Sequence, residues 1–268
     1  RAPRPPPRPA VRTYRPSPEL GTLVLPPGGF DGELLKRLRV EVLELIRAPD
    51  DDIVLKGGCG PEEVHLKDTQ YPSTRRVRMG LCHGGMLPYY PVVGRAETAT
   101  MRHATPTLYE AAVAVWRAFW HDLPPCAQDT PPDLICIQPF DAARGDKMDY
   151  HSDGVSRFED QPIAMRRGAP VITLNLFADF NFWWRRCHNF KKARVQRAIR
   201  LGDGMCMLWP WEDDTACRHG VWFPRGVREG LRVSVVFRWS SMLAPFASVS
   251  PYRILVGSEA ERACMEVA

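Results

Sequence analysis

From residue 134 onward the chain is a series of short apolar runs broken by turns. The runs at 134–140, 146–151, 170–177, 180–185, 195–201, 205–210, 220–223 and 230–239 predict strands. Many short strands joined by short turns point to an all-β sandwich or barrel. The last run alternates most regularly. Arg232, Ser234, Val236 and Arg238 interleave with Val233, Val235 and Phe237, so both arginines share one strand face with Ser234. The first half reads differently. Asp31 is placed to cap a helix over about 32–47, where Leu34, Leu35, Leu38, Val40, Val42, Leu43 and Ile46 include an apolar stripe. Pro106 opens a second helix through about residue 120, with Leu108, Ala111, Ala112, Val115, Trp116 and Phe119 on one side. Between them, 48–70 reads as loop and short strand, 74–81 as a strand, and 82–95 as a loop rich in Gly, Tyr and Pro. Residues 1–18 are Arg and Pro with no apolar pattern, and predict an extended, disordered arm ahead of a folded unit over 19–268. The expected fold class is mainly β with flanking helices.

Composition changes this picture little. With 268 residues and 44% hydrophobic content, the chain can bury a full core. No apolar run approaches the length of a membrane-spanning helix. Eight cysteines are scattered without a Cys-x-x-Cys pair, which disfavours a zinc ribbon and suits a reducing, intracellular compartment, nuclear or cytoplasmic. A net charge of +5, mostly from arginine, suits a phosphate-bearing partner without requiring one. The first residue is Arg1 rather than Met, so the true N-terminus is expected to be missing and the sequence gives no basis for judging targeting signals; a monomer is expected.

The candidate chemistry lies in three places: His151 and Asp153 in Asp-Tyr-His-Ser-Asp-Gly, His219 in Arg-His-Gly-Val, and the two arginines of the last strand. Two imidazoles and one carboxylate can fill one face of an octahedral Fe(II) site and leave the other open. His-x-Asp alone is weak evidence, since a loop histidine beside a turn-forming aspartate has the same pattern. The order of the other parts strengthens it. A Gly202-Asp203-Gly204 turn leads into the apolar run 205–211, an acidic loop and His219. Two inward arginines on a buried strand need an anionic partner, because unpaired buried charge is costly. The alternative is an edge strand with solvated arginines.

Residues 133–239 resemble the AlkB family of Fe(II)- and 2-oxoglutarate-dependent dioxygenases. The resemblance rests on Tyr-His-Ser-Asp, Ala-Pro-Val-Ile-Thr-Leu-Asn-Leu, Phe-Asn-Phe-Trp-Trp, Leu-Gly-Asp-Gly-Met-Cys-Met-Leu, Arg-His-Gly-Val and Arg-x-Ser-x-x-x-Arg. It implies a double-stranded β-helix (jelly roll) core over 133–239, preceded by a substrate-recognition lid over 70–105. It also implies that His151, Asp153 and His219 ligate iron, that Arg232 pairs with the distal carboxylate of 2-oxoglutarate, and that Arg238 lies near the other carboxylate and the substrate pocket. Ser234 stands where many relatives have Asn. Gln138-Pro139-Phe140 stands where relatives have Asn-x-Tyr, so Gln138 keeps a donor for the cosubstrate and Phe140 lacks the hydroxyl. Val155 stands where DNA-repair relatives carry an acid, so base contacts do not transfer there. The activity implied is hydroxylation or oxidative demethylation of a methylated base in DNA or RNA.

Such enzymes extrude a base and stack it on an aromatic ring. Tyr89 and Tyr90 are the candidates, with Trp183 and Trp184 nearer the core, where packing is the competing role. The basic stretch holding Arg185, Lys191, Lys192 and Arg194 is the candidate phosphate contact, or else a solvated loop. Three other readings stay open. They are a 5-methylcytosine oxidase, a hydroxylase of a protein or small molecule with the same iron chemistry, and a binding module that keeps the fold without catalysis.

Overall fold

A computed structural model of the chain describes residues 11–47, 77–80, 86–88, 90–91, 98–99, 102–153, 165–186, 197–245 and 255–256. Strand β1 (Leu23–Leu25) precedes helix α1 (Gly32–Arg47). Strands β2 (Val77–Gly80), β3 (Met86–Pro88), β4 (Tyr90–Pro91), β5 (Thr98–Ala99) and β6 (Arg102–His103) are short. Helices α2 (Pro106–Phe119) and α3 (Pro125–Gln128) follow. The core strands are β7 (Leu134–Asp141), β8 (Met148–His151), β9 (Val171–Phe177), β10 (Phe180–Arg186), β11 (Arg197–Leu201) and β12 (Cys206–Trp209). Helix α4 (Trp211–Ala216) then leads directly into β13 (Cys217–Trp222), and β14 (Leu231–Arg238) closes the core. Strands β15 (Met242–Pro245) and β16 (Leu255–Val256) come last.

A major sheet runs β1-β12-β9-β14-β7-β2-β6 and a minor sheet β11-β10-β13-β8; apart from β2–β6, every pairing in both is antiparallel. Period-two alternation gives the major sheet two buried faces. On β14, Val233, Val235 and Phe237 join Ile135, Ile137, Ile172, Leu174 and the apolar stripes of α1 and α2 in one core. Cys136, Phe140, Met207, Trp209 and Val236, on the opposite face, pack with Phe180, Phe182, Trp184, Ile199 and Val221 of the minor sheet. Helices thus cover one side of the major sheet and the minor sheet covers the other, which is the jelly-roll, double-stranded β-helix arrangement.

Local sequence accounts for both helix starts. Asp31 Oδ1 accepts from Glu33 N at 2.8 Å, and Thr105 Oγ1 accepts from Leu108 N at 3.2 Å ahead of Pro106. Three differences from the sequence pattern have local causes. Strand β8 starts at Met148 rather than 146, because Asp146 accepts from Asp141 N at 2.9 Å and so builds a turn. The acidic residues before His219 form α4, entered through Pro210, and not a loop. Strand β13 therefore begins at Cys217, which places His219 inside a strand. Strand β1 is too short to stand out from its Pro-Gly surroundings, and is fixed from a distance: Gly21 N, Thr22 N and Thr22 Oγ1 all donate to Asp213.

The stripe of α1 has a measurable edge. Leu38 is fully buried between helix and sheet, while Val40 is 55% exposed. Leu38→Ala should cost about 2–5 kcal/mol in urea denaturation, and Val40→Ala less than about 0.5 kcal/mol. Equal costs would contradict this packing of helix on sheet.

Candidate metal centre

His151 ends β8 and His219 lies on the inner face of β13, directly opposite it in register. Their ring centroids are 4.2 Å apart. Asp153 follows two residues after His151, with Oδ1 3.6 Å from His151 Nε2 and Oδ2 3.6 Å from His219 Nε2. One ligand atom from each of the three residues lies within 4.8 Å of the other two. The pairing shifts between His219 and Val221, and Gly220 sits at that irregularity. A Cβ on Gly220 would come within 2.9 Å of the Met148 carbonyl and 2.5 Å of the Trp222 ring, so the two strands reach this spacing only with glycine there.

The protonation pattern suits a cation. His151 Nδ1 lies 2.8 Å from the Asp149 carbonyl, which can only accept, so the proton is on Nδ1 and the Nε2 lone pair faces Asp153. Burial, then the neighbouring His219, push the His151 pKa down and keep the ring neutral. Burial acts on Asp153 in the opposite sense, but Arg238 and the two histidines outweigh it and hold its carboxyl well below the usual range. Arg238 Nη2 donates to Asp153 Oδ1 at 2.6 Å.

Asp214, on α4, is a residue the sequence reading passed over. Its carboxylate is 2% exposed and accepts from Asp153 N at 3.0 Å, Ser152 Oγ at 3.1 Å and Trp209 Nε1 at 3.2 Å. His219 Nδ1 is 3.4 Å from its Oδ1. Burial raises its pKa, but the His219 imidazole and the Asp153 amide offset this and leave it below the usual value. The one signal available in sequence was an acid five residues before a candidate ligand, with a tryptophan five residues further back.

A second polar cluster lies opposite, on the face of the major sheet that meets the minor sheet. Arg232 is 1% exposed; its Nε donates to Asn175 Oδ1 at 2.9 Å and its Nη2 to Ser234 Oγ at 2.7 Å. The guanidinium carbon lies 3.2 Å from the centre of the Phe180 ring and 4.6 Å from that of Phe140. Nη1 is buried and, among the described residues, has no hydrogen-bond partner, and burial pulls the Arg232 pKa well down. Gln138 and Asn175 flank Ser234 across the two neighbouring strands, so the three side chains form one polar row. Gln138 Nε2 donates to the Cys136 sulfur at 3.7 Å. Asn175, whose Nδ2 also donates to the Ala178 and Gly202 carbonyls, was not singled out in the sequence because an Asn in an apolar run has no period to mark it.

The substrate candidates divide. Tyr89, Lys191, Lys192, Arg194 and the side chain of Tyr90 lie outside the described residues. Trp184 is core, and Trp183 faces the other side of the minor sheet, edge-on to Trp222. Arg185 stacks on Tyr150, its guanidinium 4.1 Å from the ring centre.

The class defined so far is a double-stranded β-helix holding a cluster of two histidines and one carboxylate. A solved structure described as "The structure of OsALKBH1" shares this fold, with a TM-score of 0.51 and 14% identity over 85% of this chain and 100% of that one. No family model and no curated protein matches the chain. Among the described residues, no helix is long and apolar enough to cross a membrane.

The buried histidine makes stability depend on pH. The folded pKa of His151 lies below the ordinary 6.5, so the unfolded chain takes up a proton there first. Metal-free protein should therefore lose stability as pH falls below about 6.5. Asp153 shifts the same way, but its window opens only below about 4. Urea titrations between about pH 7.5 and pH 5 should show the decline, and His151→Gln should flatten it. A flat wild-type profile would contradict a buried neutral His151.

Proposed function

We propose that this chain is an Fe(II)- and 2-oxoglutarate-dependent dioxygenase of the AlkB type. Its proposed reaction is hydroxylation or oxidative demethylation of a methylated base in nucleic acid. One combination carries the reading: a buried cluster of two histidines and one carboxylate lies between the same two sheets as a buried arginine that, among the described residues, has no anionic partner. The donor set fits Fe(II), because both imidazoles turn Nε2 toward a carboxylate that is already ionised. The orphaned Arg232 Nη1 fits a carboxylate, which a guanidinium binds through paired, charge-assisted bonds.

In this reading His151, Asp153 and His219 hold the iron. Arg232 binds the distal carboxylate of 2-oxoglutarate, Ser234 and Asn175 orient its guanidinium, and Phe140 and Phe180 exclude water from the pair. Arg238 holds Asp153 ionised and fixes the rotation of its carboxylate. Gln138 supplies an amide beside Ser234 for the cosubstrate. The bound iron and cosubstrate supply, with O₂, the capacity to hydroxylate a C–H bond, and an N-methyl group so hydroxylated leaves as formaldehyde.

The substrate class is supported by the net charge of +5, by the family resemblance, and by Arg185 and Arg186, which close β10 at the start of the basic stretch. At its other end Arg197 and Arg200 on β11 are paired with Glu19 and Asp179. Lys191, Lys192 and Arg194 are proposed to touch phosphates, and Tyr89 or Tyr90 to stack on the flipped base.

Three measurements test this. With Mn(II) present, 2-oxoglutarate at about 100 times its Kd should add about 2.7 kcal/mol of stability. The gain should disappear in Arg232→Met. Its persistence would mean that another residue binds the cosubstrate. Separately, iron-loaded protein incubated with methylated oligonucleotides should yield products that have lost a methyl group or gained an oxygen by mass. Neutralising Lys191, Lys192 and Arg194 together should weaken oligonucleotide binding for all sequences and reduce its log–log salt slope by about 2. If 2-oxoglutarate is consumed but no oligonucleotide is bound or altered, the substrate is a protein or small molecule.

A further inference from the structure

We propose that Asp214 is a positioning residue of the metal centre, presetting two of the three ligands, Asp153 and His219, from one side chain. The proposal rests on the metal-centre reading above. Asp214 joins the two chain segments that carry the ligands. From the segment after β8, Ser152 Oγ donates to its backbone carbonyl at 2.7 Å and to Oδ2 at 3.1 Å, and Asp153 N donates to Oδ1 at 3.0 Å. From β13, His219 presents Nδ1 to Oδ1 at 3.4 Å. That nitrogen is buried and has no closer acceptor. The contact is long because Oδ1 already serves Asp153 N and Trp209 Nε1.

An imidazole that coordinates through Nε2 must carry its proton on Nδ1. For His151 the Asp149 carbonyl fixes that proton. For His219 the Asp214 carboxylate stands in the equivalent place, and its charge makes the imidazole a stronger donor to a cation. Holding the Asp153 amide also sets where the Asp153 carboxylate begins. The short helix α4 carries a control beside it: the Asp213 carboxylate accepts from Gly21 N, Thr22 N and Thr22 Oγ1, and so clasps the start of β1 rather than a candidate ligand.

The test compares Asp214→Asn with Asp213→Asn in the full chain, titrating Mn(II) by its electron spin resonance signal. Asp214→Asn should bind about 10–100-fold more weakly than the parent, and Asp213→Asn should stay within about threefold. In the Co(II)-loaded protein, the shifted exchangeable His219 N–H proton resonance should persist in the parent and in Asp213→Asn and vanish in Asp214→Asn. Parent-like Mn(II) binding by Asp214→Asn overturns the proposal, as does an equal loss in both variants. If the parent itself binds no Mn(II), the metal-centre reading fails first and this proposal with it. Should Asp214→Asn not fold, Ser152→Ala removes the hydroxyl bonds to Asp214 alone. It should weaken Mn(II) binding at least about threefold, and unchanged affinity overturns the proposal.

Discussion

The pairing of β8 with β13 is the constraint on which the site depends. Because side chains alternate across a strand, one register places His151 and His219 opposite each other on the inner face. A slip of one residue would turn one of them outward. The register is fixed from several directions. Gly220 allows the strands to approach, Val221 pairs with Met148 beyond the irregularity, and the Asp214 bonds tie the turn after β8 back to the start of β13. The apolar contact between the two sheets then holds that face away from water, where charge and hydrogen bonding act strongly.

Charge between the sheets is distributed unevenly. Asp153 has a close cationic partner in Arg238, and Asp214 draws on imidazole, indole, amide and hydroxyl. Arg232 has neutral oxygens and two aromatic faces but no carboxylate. A full positive charge at this depth is stable only with a counter-charge close by. Strand β14 thus carries one arginine paired with a carboxylate and one that, among the described residues, has none. In the proposed function that difference assigns Arg238 to the metal side and Arg232 to the cosubstrate.

Much of this arrangement was legible in sequence, for identifiable reasons. The alternation of Arg232, Ser234, Val236 and Arg238 with apolar residues gave both the strand and its inward face, and the cores on the two sides of β14 confirm it. The stripe of α1 and the Thr105-Pro106 start of α2 are local signals, and local physics decides them. Asp214 and Asn175 were hidden because their roles come from partners far along the chain: Ser152 is 62 residues from Asp214 and Arg232 is 57 from Asn175. Acidic residues after a proline read equally well as loop or as first helical turn, so α4 was missed, and with it the strand position of His219. The lid assignment rests on the resemblance and the basic-stretch assignment on composition, and most of those residues lie outside the described ones.

In the proposed function one cation and one dicarboxylate bind together between the two sheets. Anaerobic addition of Fe(II) and 2-oxoglutarate tests it directly by visible absorption, because a metal-to-ligand charge-transfer band requires direct chelation. The account predicts a band that appears only with both present, saturates at one iron per chain, and is absent in Asp153→Ala. No band in the parent protein, or an unchanged band in Asp153→Ala, would contradict it.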